Sequence, residues 1–143
     1  MKENSAEVTL MLIDDDDIDA MALQRSFGRQ KLGNRIIRAH DGQEAFEMLE
    51  AGMVPYPFII LLDLQMPRMT GIEFLGKLRT HAKFHDSIVF VLTTSKAEQD
   101  LDASYDQNIA GYFVKEEAGE NFVDVVTTLD CYWKVVHFPS KKI

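Results

Sequence analysis

Four consecutive aspartates follow directly after a wholly apolar segment near the start of the chain. Neighbouring like charges repel, and helix capping, favourable by roughly 0.5–1 kcal/mol, accounts only for Asp16 and Asp17. Asp14 lies where the apolar segment ends, and Asp63 ends a second such segment. Together with Asp15 they offer the oxygen ligands that a hard divalent cation prefers. We therefore expect Mg²⁺, or alternatively Mn²⁺, to offset the repulsion between these carboxylates.

Two further polar residues, Thr93 and Lys115, also end or follow apolar segments. The threonine can donate a hydroxyl hydrogen bond, and the lysine supplies a cation. Carboxylate, metal ion, hydroxyl and ammonium are the components with which proteins transfer and hold a phosphoryl group. Each residue is a weak indication alone, but their occurrence at successive segment ends predicts a phosphoryl site. Asp19, by contrast, is expected to be solvated.

The elements that position these residues are alternating apolar segments and helix-patterned stretches. The apolar segments are rich in branched and aromatic residues and predict five strands: 8–13, 35–39, 58–63, 88–93 and 111–114. Five βα units predict an α/β fold, a doubly wound five-stranded parallel sheet with helices on both faces. In such sheets ligands bind outside the carboxyl ends of the strands, where all the polar residues above are placed.

Helix boundaries are indicated by capping and by apolar periodicity. The S/T-x-x-E capping box occurs at Thr70 with Glu73 and at Ser95 with Glu98, and predicts two helix starts. Apolar residues of the last helix are predicted to fall on one face: Phe122, Val125, Val126, Leu129, Trp133 and Val136. Cys131 is expected to pack within the same helix.

The composition favours one domain over residues 1–143, with a core at about 7–138. Lys and Arg number 15 and Asp and Glu 23, so the net charge of −8 disfavours binding to nucleic acid or anionic membranes. No segment predicts a signal peptide or a membrane span. The single cysteine favours a reducing compartment. We predict a cytoplasmic protein with neither nucleic acid nor membrane among its partners.

These ordered motifs resemble the receiver domain of two-component response regulators, a flavodoxin-like domain, over essentially the whole chain. The Asp14-Asp15 pair is similar to the family's metal-binding pair, and "LLDLQMPRMTG" at 61–71 looks like its phosphoacceptor segment. The segments "VLTTS" and "GYFVK" match those that carry the family's switch hydroxyl, switch aromatic and lysine. The resemblance implies that Asp63 accepts a phosphoryl group from a histidine kinase, with Mg²⁺ required. Asp15, Asp63 and the Gln65 main-chain carbonyl would hold the ion, with Asp14 acting through water.

The same resemblance implies that Lys115 and Thr93 hold the phosphoryl oxygens and that Thr93 and Tyr112 form the switch. Such a protein is a signalling phosphoacceptor that promotes its own phosphorylation and dephosphorylation, and is otherwise no enzyme. Segments 91–115 and 131–139 are similar, more narrowly, to single-domain regulators paired with phytochrome-type histidine kinases. That similarity implies such a kinase as partner. Because no second domain is expected, output would pass through protein contacts or phosphorelay.

Two departures from the family pattern keep alternatives open. Glu116 stands where a proline usually follows the lysine, so the Lys115–Glu116 peptide is expected to be trans. Thr94 replaces a residue that is often smaller, which could narrow access to Asp63. One alternative is a receiver-like binding module that works without phosphorylation. The other is a Mg²⁺-dependent aspartyl phosphatase, which Gln65 disfavours because those enzymes typically have a second Asp at that position.

The end of the chain is unusually apolar and aromatic. Tyr132, Trp133 and Phe138 are not expected to face one core at helical spacing, so exposed aromatic interface anchors are predicted. Relatives in the resembled family commonly associate through the fourth helix, fifth strand and fifth helix. We therefore predict a homodimer through that face, strengthened by phosphorylation. The alternative is that the aromatics pack on their own sheet and leave a monomer.

Overall fold

The computed structural model describes residues 7–140, which form one five-stranded parallel sheet. Its strands are β1 (Thr9–Ile13), β2 (Ile36–Ala39), β3 (Phe58–Leu62), β4 (Ile88–Thr93) and β5 (Gly111–Val114). Their order is β2-β1-β3-β4-β5, so β1 and β3 are neighbours where the direction of winding reverses. The predicted doubly wound sheet is confirmed. The predicted single domain covers 1–143, of which residues 1–6 and 141–143 lie outside the described residues.

Within residues 7–140, five α-helices pack around the sheet. They are α1 (Asp17–Arg29), α2 (Gly42–Glu50), α3 (Gly71–Arg79), α4 (Glu98–Asp106) and α5 (Val123–Val135). Apolar residues of α2 and α3 pack on one face, and those of α1 and α5 pack on the other. Because both faces are covered, β1 and β3 are buried along their whole length. None of the helices within residues 7–140 has the length and apolar character needed to span a bilayer.

Helix α5 carries its predicted apolar face on Val125, Val126, Leu129 and Trp133, all of which are completely buried. Two residues assigned to that face flank the helix instead. Phe122 is its N-cap, in the left-handed region at φ 59°, and Val136 is its C-cap. The expectation that Cys131 packs is wrong, because its side chain is exposed.

The aromatic residues at the end of the chain pack on their own sheet, so the prediction of exposed anchors is wrong. Trp133 is completely buried, with its ring centroid 6.1 Å from that of Phe27. Tyr132 meets Phe90 edge-on at 5.2 Å, and Phe138 packs against the same core. The reason is that α5 ends at Val135. Phe138 lies beyond the helix, so helical spacing does not fix its direction and its ring packs back toward the sheet.

One of the two predicted capping boxes is present. Thr70 and Glu73 form it at the start of α3, with both reciprocal hydrogen bonds. The prediction for Ser95 is wrong, because α4 has Ala97 as its N-cap with no side-chain hydrogen bond. The Ser95 hydroxyl instead donates to Asp100 Oδ2 at 2.5 Å. Ser95 lies two residues too early in the chain to cap the helix.

Candidate functional site

Three carboxylates meet at the carboxyl edge of the sheet. Asp14 follows β1 and Asp63 follows β3, and the Asp63 N–H donates to the Ile13 carbonyl at 2.9 Å, extending the pairing of the two strands. Carboxylate oxygens of Asp14, Asp15 and Asp63 all lie within 4.8 Å of one another. Asp14 and Asp63 are buried, with 1% and 5% of their surface exposed, whereas Asp15 faces solvent. The structure therefore brings together the acidic residues chosen from the sequence.

Asp14 is the most buried of these carboxyls. Its Oδ1 accepts a hydrogen bond from the Asp16 N–H at 2.8 Å. Within the described chain its buried Oδ2 accepts no hydrogen bond, and the Lys115 ammonium lies 3.3 Å away. Burial raises the pKa of Asp14 to about 7, against the lowering effects of the Asp16 N–H and the Lys115 charge. A cation bound next to Asp14 would stabilise its ionised form and so offset the effect of burial.

Lys115 brings a positive charge to the carboxylates from the end of β5. Its Nζ lies 2.5 Å from Asp19 Oδ2, 3.1 Å from Asp63 Oδ2 and 3.3 Å from Asp14 Oδ2. Burial opposes the ammonium charge, but the hydrogen bond to Asp19 and the nearby carboxylates outweigh it and raise the lysine pKa above its usual range. The Lys115–Glu116 peptide is trans, as expected. Glu116 therefore does not displace the lysine from the site.

Asp19 is the site residue that the sequence analysis missed. It was expected to be solvated, but its side chain is only 18% exposed and forms the shortest ion pair of Lys115. No local sequence pattern indicates this residue, because Asp15 precedes the N-cap Asp16 and the spacing from Asp15 to Asp19 is therefore not helical. Its contact with Lys115 depends on how α1 packs relative to the end of β5.

The loop after β4 is hydrogen-bonded both to the loop after β3 and to β5. Thr93 is completely buried at the end of β4, and its hydroxyl accepts from the Ser95 N–H at 3.4 Å. The Thr94 hydroxyl donates to the Gln65 side-chain oxygen at 2.6 Å, which joins the loops after β3 and β4. Tyr112 is half-buried, and its hydroxyl donates to the Ser95 carbonyl at 2.9 Å. Tyr112 is thereby tied to the loop that follows Thr93.

An ion pair that was not anticipated fixes the loop after β3. Arg68, in the left-handed region at φ 67°, donates to the carboxylate of Asp41, which is the N-cap of α2. This contact and the Glu44 N–H hold the pKa of Asp41 below its usual range. The segment that carries Asp63 is thus connected to the loop after β2.

Buried acidic residues, a lysine and a threonine at the carboxyl edge of a sheet ordered β2-β1-β3-β4-β5 define a receiver arrangement. The family model described as response regulator receiver domain matches residues 10–127. The chain belongs to this family of signalling domains. The sequence-based recognition is confirmed.

Similar proteins include other response regulators, among them a phytochrome response regulator. Response regulator Rcp1 of Synechocystis sp. is 27% identical over 135 residues, covering 92% of each chain. The probable methanogenesis regulatory protein FilR2 of Methanothrix harundinacea is 31% identical over 127 residues, covering 87% of this chain and 82% of FilR2. The solved structure of Mn²⁺-bound Rcp1 gives a TM-score of 0.80 at 28% identity, covering 94% of this chain and 99% of that one. The phosphorylated cyanobacterial phytochrome response regulator RcpA gives 0.80 at 25% identity, covering 94% and 99%.

Proposed function

We propose that this protein is a response regulator that accepts a phosphoryl group from a histidine kinase onto Asp63. The observation that carries the proposal is the placement of the Asp63 carboxylate, which lies within 4.8 Å of two other carboxylates and 3.1 Å from the Lys115 ammonium. A nucleophilic carboxylate beside the Lys115 ammonium suits phosphoryl transfer, because the ammonium stabilises charge that develops on the phosphoryl oxygens.

The donor set fits a divalent cation. All the available ligands are oxygens, and the buried Asp14 Oδ2 accepts no hydrogen bond from any described residue. Asp15, Asp63 and the Gln65 main-chain carbonyl would hold the ion, with Asp14 acting through water. Mg²⁺ is our choice, with Mn²⁺ as the alternative, which the Mn²⁺-bound form of Rcp1 supports. When bound, the ion would offset the carboxylate repulsion and neutralise phosphoryl oxygens.

In the proposed reaction a carboxylate oxygen of Asp63 forms a bond to phosphorus. The bond between phosphorus and the kinase histidine nitrogen breaks, and the imidazole leaves with the electron pair. Lys115 donates a hydrogen bond to a phosphoryl oxygen, and the Thr93 hydroxyl donates to another. Thr93 must then turn its hydroxyl toward the acceptor. Because the Ser95 N–H donates to Thr93 and the Ser95 carbonyl accepts from Tyr112, movement there would reach the Tyr112 ring.

The partner we propose is a phytochrome-type histidine kinase. Support comes from the likeness to RcpA, a phytochrome response regulator whose structure was solved in its phosphorylated form. The phosphatase alternative gains no support from the site. Gln65 occupies the position of a second acid, and its side-chain oxygen accepts the Thr94 hydrogen bond.

The proposal is tested by incubating the protein with a small phosphodonor and Mg²⁺ and measuring its intact mass. We expect one acid-labile phosphoryl group on the native chain and none on Asp63→Asn. Asp102→Asn is the matched control, since it makes the same change at an exposed position on α4. A native protein that gains no phosphoryl group, from the small donor or from a phosphorylated kinase, would overturn the proposal. A phosphoryl group that persists in Asp63→Asn would overturn the assignment of Asp63.

A further inference from the structure

The Lys115 ammonium contacts three carboxylates, and they are not equivalent. Asp14 and Asp63 belong to the cluster of acidic side chains that could hold a metal ion, but Asp19 does not. Asp19 is nevertheless the nearest of the three, at 2.5 Å against 3.1 Å and 3.3 Å. The lysine therefore has one carboxylate partner outside the proposed cation site.

Asp19 is held in place by the start of α1. The Asp16 side chain caps this helix, accepting from the N–H groups of Ile18 at 2.8 Å and Asp19 at 3.3 Å. The Lys115 side chain, only 11% exposed, crosses from the end of β5 to reach Asp19. The ion pair thus joins the first turn of α1 to the end of β5.

A cation in the cluster would change the balance of charge around Lys115. A divalent ion neutralises Asp14 and Asp63 and repels the ammonium, since like charges at a few ångströms in a partly buried site interact strongly. Of the three carboxylates that contact the lysine, only Asp19 would not also interact with the bound cation. Without Asp19, the ammonium would have to compete with the cation for Asp14 and Asp63.

We propose that Asp19 is a positioning residue for Lys115. It holds the ammonium beside the site while the cation binds, and it yields the ammonium to the phosphoryl oxygens once Asp63 is phosphorylated. This inference rests on the proposed function, because it assumes that a divalent cation and a phosphoryl group bind at the cluster.

The test is a double-mutant cycle on Mg²⁺ affinity, measured by titration calorimetry on the full chain. Asp19→Asn keeps the shape of the side chain and removes its charge. We expect it to weaken Mg²⁺ binding by about threefold to tenfold in the native background. In the Lys115→Met background, where no ammonium needs a partner, the same change should have a clearly smaller effect.

A matched control separates the role of Asp19 from simple loss of charge. Asp17→Asn removes a charge from the same helix turn, and Asp17 pairs with Arg38 at 2.6 Å instead of with Lys115. Its effect on Mg²⁺ affinity should therefore be equal in the two backgrounds. Equal effects of Asp19→Asn in the two backgrounds would overturn the inference while leaving the proposed function intact. A native protein that binds no Mg²⁺ would overturn both.

A structural measurement covers the case in which Lys115→Met fails to fold. In a crystal structure of the native protein with Mg²⁺, Lys115 Nζ should remain within about 3.5 Å of Asp19 and lie farther from Asp14. An ammonium that stays on Asp14 or Asp63 and leaves Asp19 would overturn the inference.

Discussion

Asp14 illustrates how a single buried carboxyl affects both stability and cation binding. Burial raises its pKa from 3.8 in the unfolded reference to about 7 in the folded protein. The folded protein therefore binds the Asp14 proton more tightly than the unfolded chain does. Below about pH 4, where both states are protonated, this difference contributes fully to the stability of the fold. That contribution is lost progressively as the pH rises to about 7. Since one pKa unit corresponds to about 1.36 kcal/mol, the loss amounts to about 4 kcal/mol.

Replacing the Asp14 carboxyl by an amide should remove the pH dependence that this group gives to the free energy of unfolding. Asp14→Asn should gain stability relative to the native protein, and the gain should be about 2–3 kcal/mol larger at pH 8 than at pH 5. The measurement is urea unfolding of both proteins without divalent cations at the two pH values. Asp102→Asn on the exposed side of α4 serves as the control, with no such difference expected. A stability difference that is the same at both pH values would contradict the assignment.

Cation binding should be linked to the same proton. At a hundredfold excess over its dissociation constant, Mg²⁺ should add roughly 2.7 kcal/mol of stability. Its affinity should rise between pH 6 and pH 8, because Asp14 must lose its proton to interact with the ion. Melting curves with and without Mg²⁺ at both pH values check this. An unchanged shift after Asp15→Asn, or a larger affinity at pH 6, would refute it.

The sequence was sufficient to place Asp14, Asp63, Thr93 and Lys115, because each ends or directly follows a strand and parallel strands end at one edge. Asp19 was not predicted, since its role depends on how α1 is oriented relative to β5. That orientation is set by packing between distant segments. The Arg68–Asp41 ion pair was missed for the same reason.

The loop between β3 and α3 depends on a close backbone contact at Gly71. A Cβ atom there would lie 2.6 Å from the Asp63 carbonyl oxygen and 2.6 Å from the Leu64 Cα. These are backbone atoms of the segment that carries the proposed acceptor. The glycine is therefore required by space, and its φ angle is not in the left-handed region.

Gly71→Ala should accordingly destabilise the protein by about 1–3 kcal/mol and slow phosphorylation, because the Asp63 backbone must move to make room. Gly76→Ala is the matched control within the same helix. Its Cβ would have no neighbour within 4 Å, so it should stabilise by about 0.5–1 kcal/mol through helix propensity. Urea unfolding and the rate of phosphoryl gain measure both effects. Equal behaviour of the two variants would contradict the proposed packing.

Strands were predictable to within one residue at each end because they are short, mostly apolar segments rich in branched and aromatic residues. The ends of the helices were less predictable than those of the strands, as Ser95 shows. A capping box requires the serine to stand immediately before the first helical residue, and the loop after β4 places Ser95 two residues earlier than the N-cap. That loop is shaped by the hydrogen bonds of Thr93, Thr94 and Tyr112, which connect it to the loop after β3 and to β5.

The surface of the molecule bears on self-association, which stays a prediction. The aromatic end of the chain no longer supports it, because Trp133 and its neighbours pack inside. The face formed by α4, β5 and α5 nevertheless exposes Leu101 and Tyr105, at 37% and 48%. These residues are four apart on α4 and so lie on one side of the helix. Tyr112, whose hydroxyl is tied to the loop after β4, belongs to the adjoining strand.

We therefore keep the prediction of a symmetric dimer through α4, β5 and α5, with Leu101 and Tyr105 as its anchors. Phosphorylation should strengthen it, because a shift of the Thr93 loop alters the Ser95 carbonyl that holds Tyr112. Sedimentation at several concentrations should show a dimer whose fraction increases with phosphodonor and Mg²⁺. The double variant Leu101→Asn with Tyr105→Ser should weaken dimerisation at least tenfold, which corresponds to about 1.4 kcal/mol.

The control for this double variant is Met53→Ser, at an exposed position outside this face. Trp133→Ala is unsuitable, since emptying a fully buried site costs about 3–5 kcal/mol of stability. A monomer under every condition would refute the dimer, and a dimer that survives the double change would assign it to another face.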